Sequence, residues 1–135
     1  MFELSVLMAG YIEHSLAERG LTRARATVVW ELFHRGPMTQ RELSQALNVT
    51  PRNVTGLLDA LQEGGFVDRN PHPTDRRATM VSITAKARRA AKAMNEDHRQ
   101  FAQRLFAAMP QDDLTLFDAT LTGVLAQLRE VTDSD

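Results

Sequence analysis

At 135 residues, with 43% hydrophobic and 24% charged side chains, the chain has the size and balance of one domain with a real core. The absence of cysteine excludes disulfides and thiol-based sensing, and the net charge of −1 gives no sign of nucleic-acid binding until it is divided along the chain. Met1–Ile12 is apolar but lacks a basic leading segment and reaches Glu13 too soon to span a bilayer. A soluble, cytoplasmic protein without a membrane segment is therefore expected.

Leu4, Leu7, Met8, Tyr11, Ile12 and Leu16 recur at three- and four-residue spacing, which predicts an amphipathic first helix of about 17 residues. Thr22 is placed to cap a second helix that ends at Gly36-Pro37, with Val29, Trp30, Leu32 and Phe33 on its apolar side. Thr39, Gln40, Arg41 and Glu42 form a capping box, in which the Thr39 hydroxyl and the Glu42 carboxylate satisfy orphan backbone donors reciprocally. That helix runs to about Leu47 and is followed by the turn Asn48–Val49. Thr50 then caps a further helix with Pro51 at its first position, where the missing N–H costs nothing. It reaches Glu63, and Gly64-Gly65 supplies a left-handed stop. A hairpin follows, from Phe66 to Arg69, over a Pro-rich tip at 70–77, and back through Thr79 to Ile83. Two helices joined by a tight turn and followed by a basic-tipped hairpin read as a winged helix-turn-helix.

Thr84 to about Met109 reads as a long helix, roughly 39 Å at 1.5 Å per residue, with a stripe at Met94, His98, Phe101, Leu105 and Ala108. Pro110 breaks it. The last helix repeats the rhythm at Leu114, Phe117, Leu121, Val124, Leu128 and Val131. These stripes exceed what one winged domain covers, and mutual burial in a two-fold dimer resolves the excess.

The charge is unevenly divided. Residues 37–89 hold eight Lys or Arg against five acids, whereas residues 95–135 hold three Arg against eight acids. A basic middle suits phosphate, and an acidic end suits water or a protein partner.

In the second helix of the motif, Val54, Leu57, Leu58 and Leu61 share an inward face, and Arg52, Asn53, Thr55, Gly56 and Asp59 stand opposite. The first turn of such a helix enters the major groove, so Arg52 and Asn53 are the candidate base readers: arginine donates twice to guanine, and asparagine pairs bidentately with adenine. Thr55 suits a thymine methyl or a phosphate, and Gly56 permits close approach. Thr39, Gln40 and Thr50 lie at helix N-termini, where N–H groups and the dipole attract phosphate. At the hairpin tip, Arg76 and Arg77 beside Asp75 suit insertion of an arginine into a narrow minor groove.

The segment from Phe66 to Thr84 resembles the wing of the MarR family of multiple-antibiotic-resistance-type regulators, through Asp75, Arg77, Val81, Ile83 and Thr84. The flanking helices fit as well, and the resemblance covers nearly the whole chain. It implies a mainly α fold with a small β-hairpin wing: a winged helix-turn-helix at 22–84, and dimerisation helices at 1–20 and 85–132 within a single domain. It assigns minor-groove insertion to Arg77 with Asp75 bracing the guanidinium, leaving Arg76 for a flanking phosphate. It further implies a homodimeric repressor acting on double-stranded DNA, at a pseudo-palindromic operator. Release would come from a small aromatic or phenolic effector bound where the dimer helices meet the winged domain; Tyr11, His14, Trp30 and His34 are the polar-aromatic residues of the corresponding helices, and the ordinary reading of each is packing. Ala26 departs from the bulky residue usual at its position.

No phosphate-binding glycine loop, nucleophile elbow or H-E-x-x-H motif is present, so neither an enzyme nor a cofactor is expected. His14, His34, His72 and His98 are isolated in sequence, without local metal-ligand spacing. The alternative reading is a metal-responsive or ligand-independent winged-helix DNA-binding protein.

Overall fold

The computed structural model describes residues 1–133 and divides into two compact units, Met1–Asn95 and the chain from Glu96 onward. In the first unit, α1 (Phe2–Ala17) is followed by α2 (Arg23–Arg35), β1 (Met38–Thr39), α3 (Gln40–Ala46) and α4 (Pro51–Glu63). The strands β2 (Val67–Pro71) and β3 (Thr79–Ile83) come next, then α5 (Ala85–Phe106), which continues past the division. Between Thr84 and the division, α5 sends Ala87, Ala91 and Met94 into the core of this unit.

The core is closed by helix faces whose periods the sequence carries. Val28, Val29 and Leu32 of α2 meet Leu43 of α3, together with Val54, Leu58 and Leu61 of α4 and Val81 of β3. Leu57, on the same side of α4, is only half-buried. The expected stripe of α1 divides: Leu16 is buried and Ile12 packs against the core, while Phe2, Leu4 and Leu7 stay exposed.

The three-stranded antiparallel sheet has the order β1-β3-β2. β1, which a two-residue strand without periodicity cannot announce, pairs Met38 with Val81 and Thr39 with Met80. The wing pairs run from Val67 opposite Ile83 to Pro71 opposite Thr79. Thr39 thus ends a strand and caps α3 at once, which fixes that helix N-terminus against the wing.

The junctions use the local chemistry expected, with one shift. At the end of α4 the left-handed residue is Gly65 alone (φ 75°), since Gly64 remains right-handed at −75°. A Cβ at Gly64 would lie 3.1 Å from the Phe66 ring, so close packing rather than positive φ favours glycine there. In the turn between α3 and α4, Asn48 takes φ 50°, a region asparagine tolerates, and the buried Ser44 hydroxyl donates to the Val49 carbonyl at 2.6 Å.

In the second unit, α6 (Gln111–Asp133) follows the break at Pro110, and the Phe106 and Phe117 rings lie 5.6 Å apart. No residue of α6 is buried; Leu116, Phe117, Leu121, Val124, Leu125, Leu128 and Val131 are all exposed. On α5, where this unit begins, hydrogen bonds from Arg99 and Gln100 hold the Glu96 carboxyl down at about 2. Among the described residues no helix is long and apolar enough to cross a membrane, and no group of three or more His, Asp or Glu side chains is placed to hold a metal ion.

Candidate nucleic-acid interface

The capping box at α3 is complete: Glu42 Oε2 accepts the Thr39 N–H at 2.7 Å, and Thr39 Oγ1 accepts the Glu42 N–H at 3.1 Å. The Thr39 hydroxyl, used as an acceptor, keeps its own proton for an incoming phosphate. Thr50 repeats the arrangement at α4, accepting from the Asn53 N–H at 3.1 Å, with Pro51 at the first helical position. Two helix N-termini with oriented N–H groups are therefore held in one unit.

The Thr39 backbone N–H, and then the Thr39 side chain, lower the Glu42 carboxyl below its ordinary value of 4.5. A depressed folded-state value means that this contribution to stability is present above 4.5 and lost as pH falls through the lowered value. Glu42→Gln retains an acceptor for the Thr39 N–H but cannot titrate, so its thermal midpoint should fall less steeply on acidification than that of the parent. Identical acid profiles for the two proteins would remove the capping box from the pH response.

Val54, Leu58 and Leu61 bind α4 to the core, leaving Arg52, Asn53, Thr55, Gly56 and Asp59 exposed on the other side. Among the described residues the Arg52 and Asn53 side chains carry no hydrogen bond or ion pair, so neither has a partner to give up. The Thr55 hydroxyl donates to the Pro51 carbonyl at 2.9 Å, which leaves its methyl, not its proton, for a base. A Cβ on Gly56 would meet nothing within 4 Å.

A groove of about 740 Å³ runs between α3, α4 and the wing. Thr39, Gln40, Thr55, Asp75 and Arg77 line it, as do Arg41, Ser44 and Gln45, which sequence reasoning left out. Arg41 lies one position beyond Gln40, and the helix-start argument that singled out Gln40 applies to it equally. Thr50, Arg52, Asn53, Gly56 and Arg76 lie outside the lining, on the exposed surface.

The wing differs from expectation at Asp75. Its Oδ1 accepts the Arg77 backbone N–H at 3.0 Å, so the carboxylate braces the main chain of the tip and not the guanidinium. A short side chain two residues back reaches a backbone N–H more readily than the far end of an arginine. The Arg77 guanidinium is exposed and makes no ion pair among the described residues.

A second arginine holds the wing to α4. Arg69 on β2 donates to Gln62 Oε1 at 2.6 Å and to Asp59 Oδ1 at 2.7 Å. The root of the hairpin is pinned separately, with Thr84 Oγ1 donating to the Gly65 carbonyl at 2.6 Å and Lys86 Nζ to the Gly64 carbonyl at 2.7 Å. Lys86 Nζ also sits 4.6 Å from the Phe66 ring centroid. Thr84 further accepts the Ala87 N–H at 3.2 Å, so one hydroxyl joins the wing to the start of α5.

Comparison with known proteins agrees with this geometry. A profile of the MarR family matches residues 21–79. The chain is 31% identical over 121 residues to an HTH-type transcriptional regulator, YwoH, of Bacillus subtilis, covering 90% of this chain and 88% of the relative. It is 35% identical over 92 residues to the HTH-type transcriptional repressor YetL of the same organism, covering 65% of this chain but only 54% of the relative's length. The fold matches FabT of Streptococcus pneumoniae, solved in complex with DNA, with a TM-score of 0.77 at 18% identity, over 96% of this chain and 94% of FabT. With capped helices, open α4 face and basic wing all in place, the chain belongs to the MarR family and has its winged-helix fold, although it spans only 54% and 65% of the length of two of the curated relatives it matches.

Proposed function

We propose that the protein is a sequence-specific repressor that binds a pseudo-palindromic operator as a homodimer, with Arg52 and Asn53 reading bases and Arg77 entering the minor groove. The observation that carries this reading is the groove between α3, α4 and the wing, bordered by two capped helix N-termini and by an Arg77 guanidinium that makes no ion pair among the described residues. Thr39, Gln40 and Thr50 take phosphates at the helix starts, Thr55 offers its methyl to a base, Gly56 lets the DNA approach closely, Arg76 reaches a flanking phosphate, and Asp75 shapes the tip. The apolar, wholly unburied face of α6 supports association with a second copy, since such a face is costly to leave in water. Two-fold symmetry sets the half-sites about 34–36 Å apart.

Release by a small aromatic or phenolic molecule belongs to the same proposal. Trp30, Phe33 and His34 supply a ring cluster on α2, with the Trp30 and His34 centroids 4.5 Å apart. Rings of this kind stack on flat aromatic ligands.

The test is salt dependence of operator binding. Arg77→Ala should lower the slope of log affinity against log salt by about one unit, the loss of one phosphate-neutralising cation. Arg77→Lys should recover part of the affinity, because ammonium is more strongly hydrated than guanidinium. Arg104→Ala, an exposed arginine on α5, should change little. Equal effects at Arg77 and Arg104 would defeat insertion by the wing, and a titration endpoint of one chain per operator would defeat the dimer.

A further inference from the structure

Seven residues, His72 to Ala78, connect the last wing pair, Pro71 opposite Thr79. The neck of this tip is closed by the His72 N–H, which donates to the Ala78 carbonyl at 3.0 Å, and by the Ala78 N–H, which donates to the Asp75 carbonyl at 3.1 Å. Inside it, His72 Nδ1 accepts the main-chain N–H groups of Thr74 at 3.2 Å and Asp75 at 3.1 Å, and the Thr74 hydroxyl lies 3.3 Å from the same nitrogen. Pro73, between them, has no N–H to offer. The half-buried imidazole therefore does what an Asn or Asp side chain does in a tight turn, drawing in the N–H groups two and three residues ahead.

Two main-chain donors at one ring nitrogen fix the tautomer. Nδ1 has to be the bare acceptor, so the ring proton sits on Nε2. The next link is Asp75, whose N–H goes to His72 and whose carboxylate takes the Arg77 N–H. From His72 through Asp75 to Arg77, each side chain fixes the backbone of the residue that follows in the relay.

We infer that His72 is the positioning residue of the wing: by accepting at Nδ1 it folds the tip into the turn from which Arg77 is presented to DNA. The inference rests on the proposed role of Arg77 and adds a residue that touches no DNA itself. The relevant atom is Nδ1, two bonds from Cβ, and Asn places Oδ1 at the same remove. Gln places its oxygen one bond further out, closer to where Nε2 lies.

The experiment compares His72→Ala, His72→Asn and His72→Gln in the full chain. Operator affinity is measured beside amide exchange of Thr74 and Asp75 by magnetisation-transfer NMR, with Arg77→Ala as reference. His72→Ala should weaken operator binding by about tenfold, the scale of one net hydrogen bond, and should speed exchange at both amides. His72→Asn should restore both, whereas His72→Gln should restore neither. In the parent protein, ring nitrogen shifts should report the Nε2–H form.

Restoration of affinity by Gln and not Asn would overturn the inference, because the ring would then act through Nε2 as a direct phosphate donor. Unchanged amide exchange in His72→Ala would overturn it independently of DNA. Should Arg77→Ala leave operator binding intact, the reading of the wing fails, and amide exchange alone decides whether His72 holds the tip.

Discussion

Leu58→Ala should remove about 2–5 kcal/mol of folding stability, the range for truncating a fully buried leucine. Leu58 has no exposed surface, and it lies in one cluster with Val54 and Leu61 of its own helix, Val28, Val29 and Leu32 of α2, and Val81 of the wing. Its loss combines the transfer free energy of the deleted atoms with the cavity left where three elements meet. Against a domain stability of about 5–15 kcal/mol, a loss of that size brings the thermal midpoint down strongly. Leu57→Ala, one position earlier but only half-buried, should cost less. Urea unfolding at matched chain concentration measures both, since association couples concentration to apparent stability. Equal losses at 57 and 58 would mean that the inward face of α4 is centred elsewhere.

Arg52→Ala or Asn53→Ala should each cost about 1–3 kcal/mol on the preferred operator and relax base preference at one position of each half-site. Both side chains leave the first turn of α4 on its exposed side, and neither holds any part of the fold. Folding stability should therefore stay close to that of the parent while specificity falls. Thr39→Ala provides the contrast. It removes the acceptor of the Glu42 N–H together with the proposed phosphate donor, so all DNA sequences should weaken alike. Selection from a random DNA pool followed by sequencing reads the difference. Matching preference profiles for Arg52→Ala and Thr39→Ala would remove Arg52 from the base-reading role.

The elements that became legible from sequence are those whose signals are local. The Thr39 and Thr50 caps, Pro51 at the first helical position and the period of Val54, Leu58 and Leu61 all act within a few residues, and each appears in the structure as expected. The hairpin strands β2 and β3 also lie where they were expected, except that β2 extends through Asn70 and Pro71 into the stretch assigned to the tip. What the sequence concealed depends on chain segments brought together by folding. Arg69 counted only as a positive charge, because its partners Asp59 and Gln62 lie ten and seven residues away across a change of element. His72 looked isolated because the groups it binds are backbone amides, which every residue carries and no motif marks. Asp75 was paired with the correct residue but the wrong atom, since sequence proximity does not distinguish a guanidinium from an N–H. α6 shows the opposite case: its rhythm is plain in sequence, yet within its own chain that face remains unburied.

With the ion pair between Arg69 and Asp59, α4 carries three kinds of position. Val54, Leu58 and Leu61 are committed to the core, and Asp59 and Gln62 are committed to the wing. Arg52, Asn53, Thr55 and Gly56 owe nothing to any other element, apart from the local Thr55 bond to Pro51. New operator preferences are thus reachable by randomising those four positions while the scaffold that aims them is kept constant. A library built this way varies what is read without varying how the reader is held, so mutational diversity is spent on recognition and not on refolding.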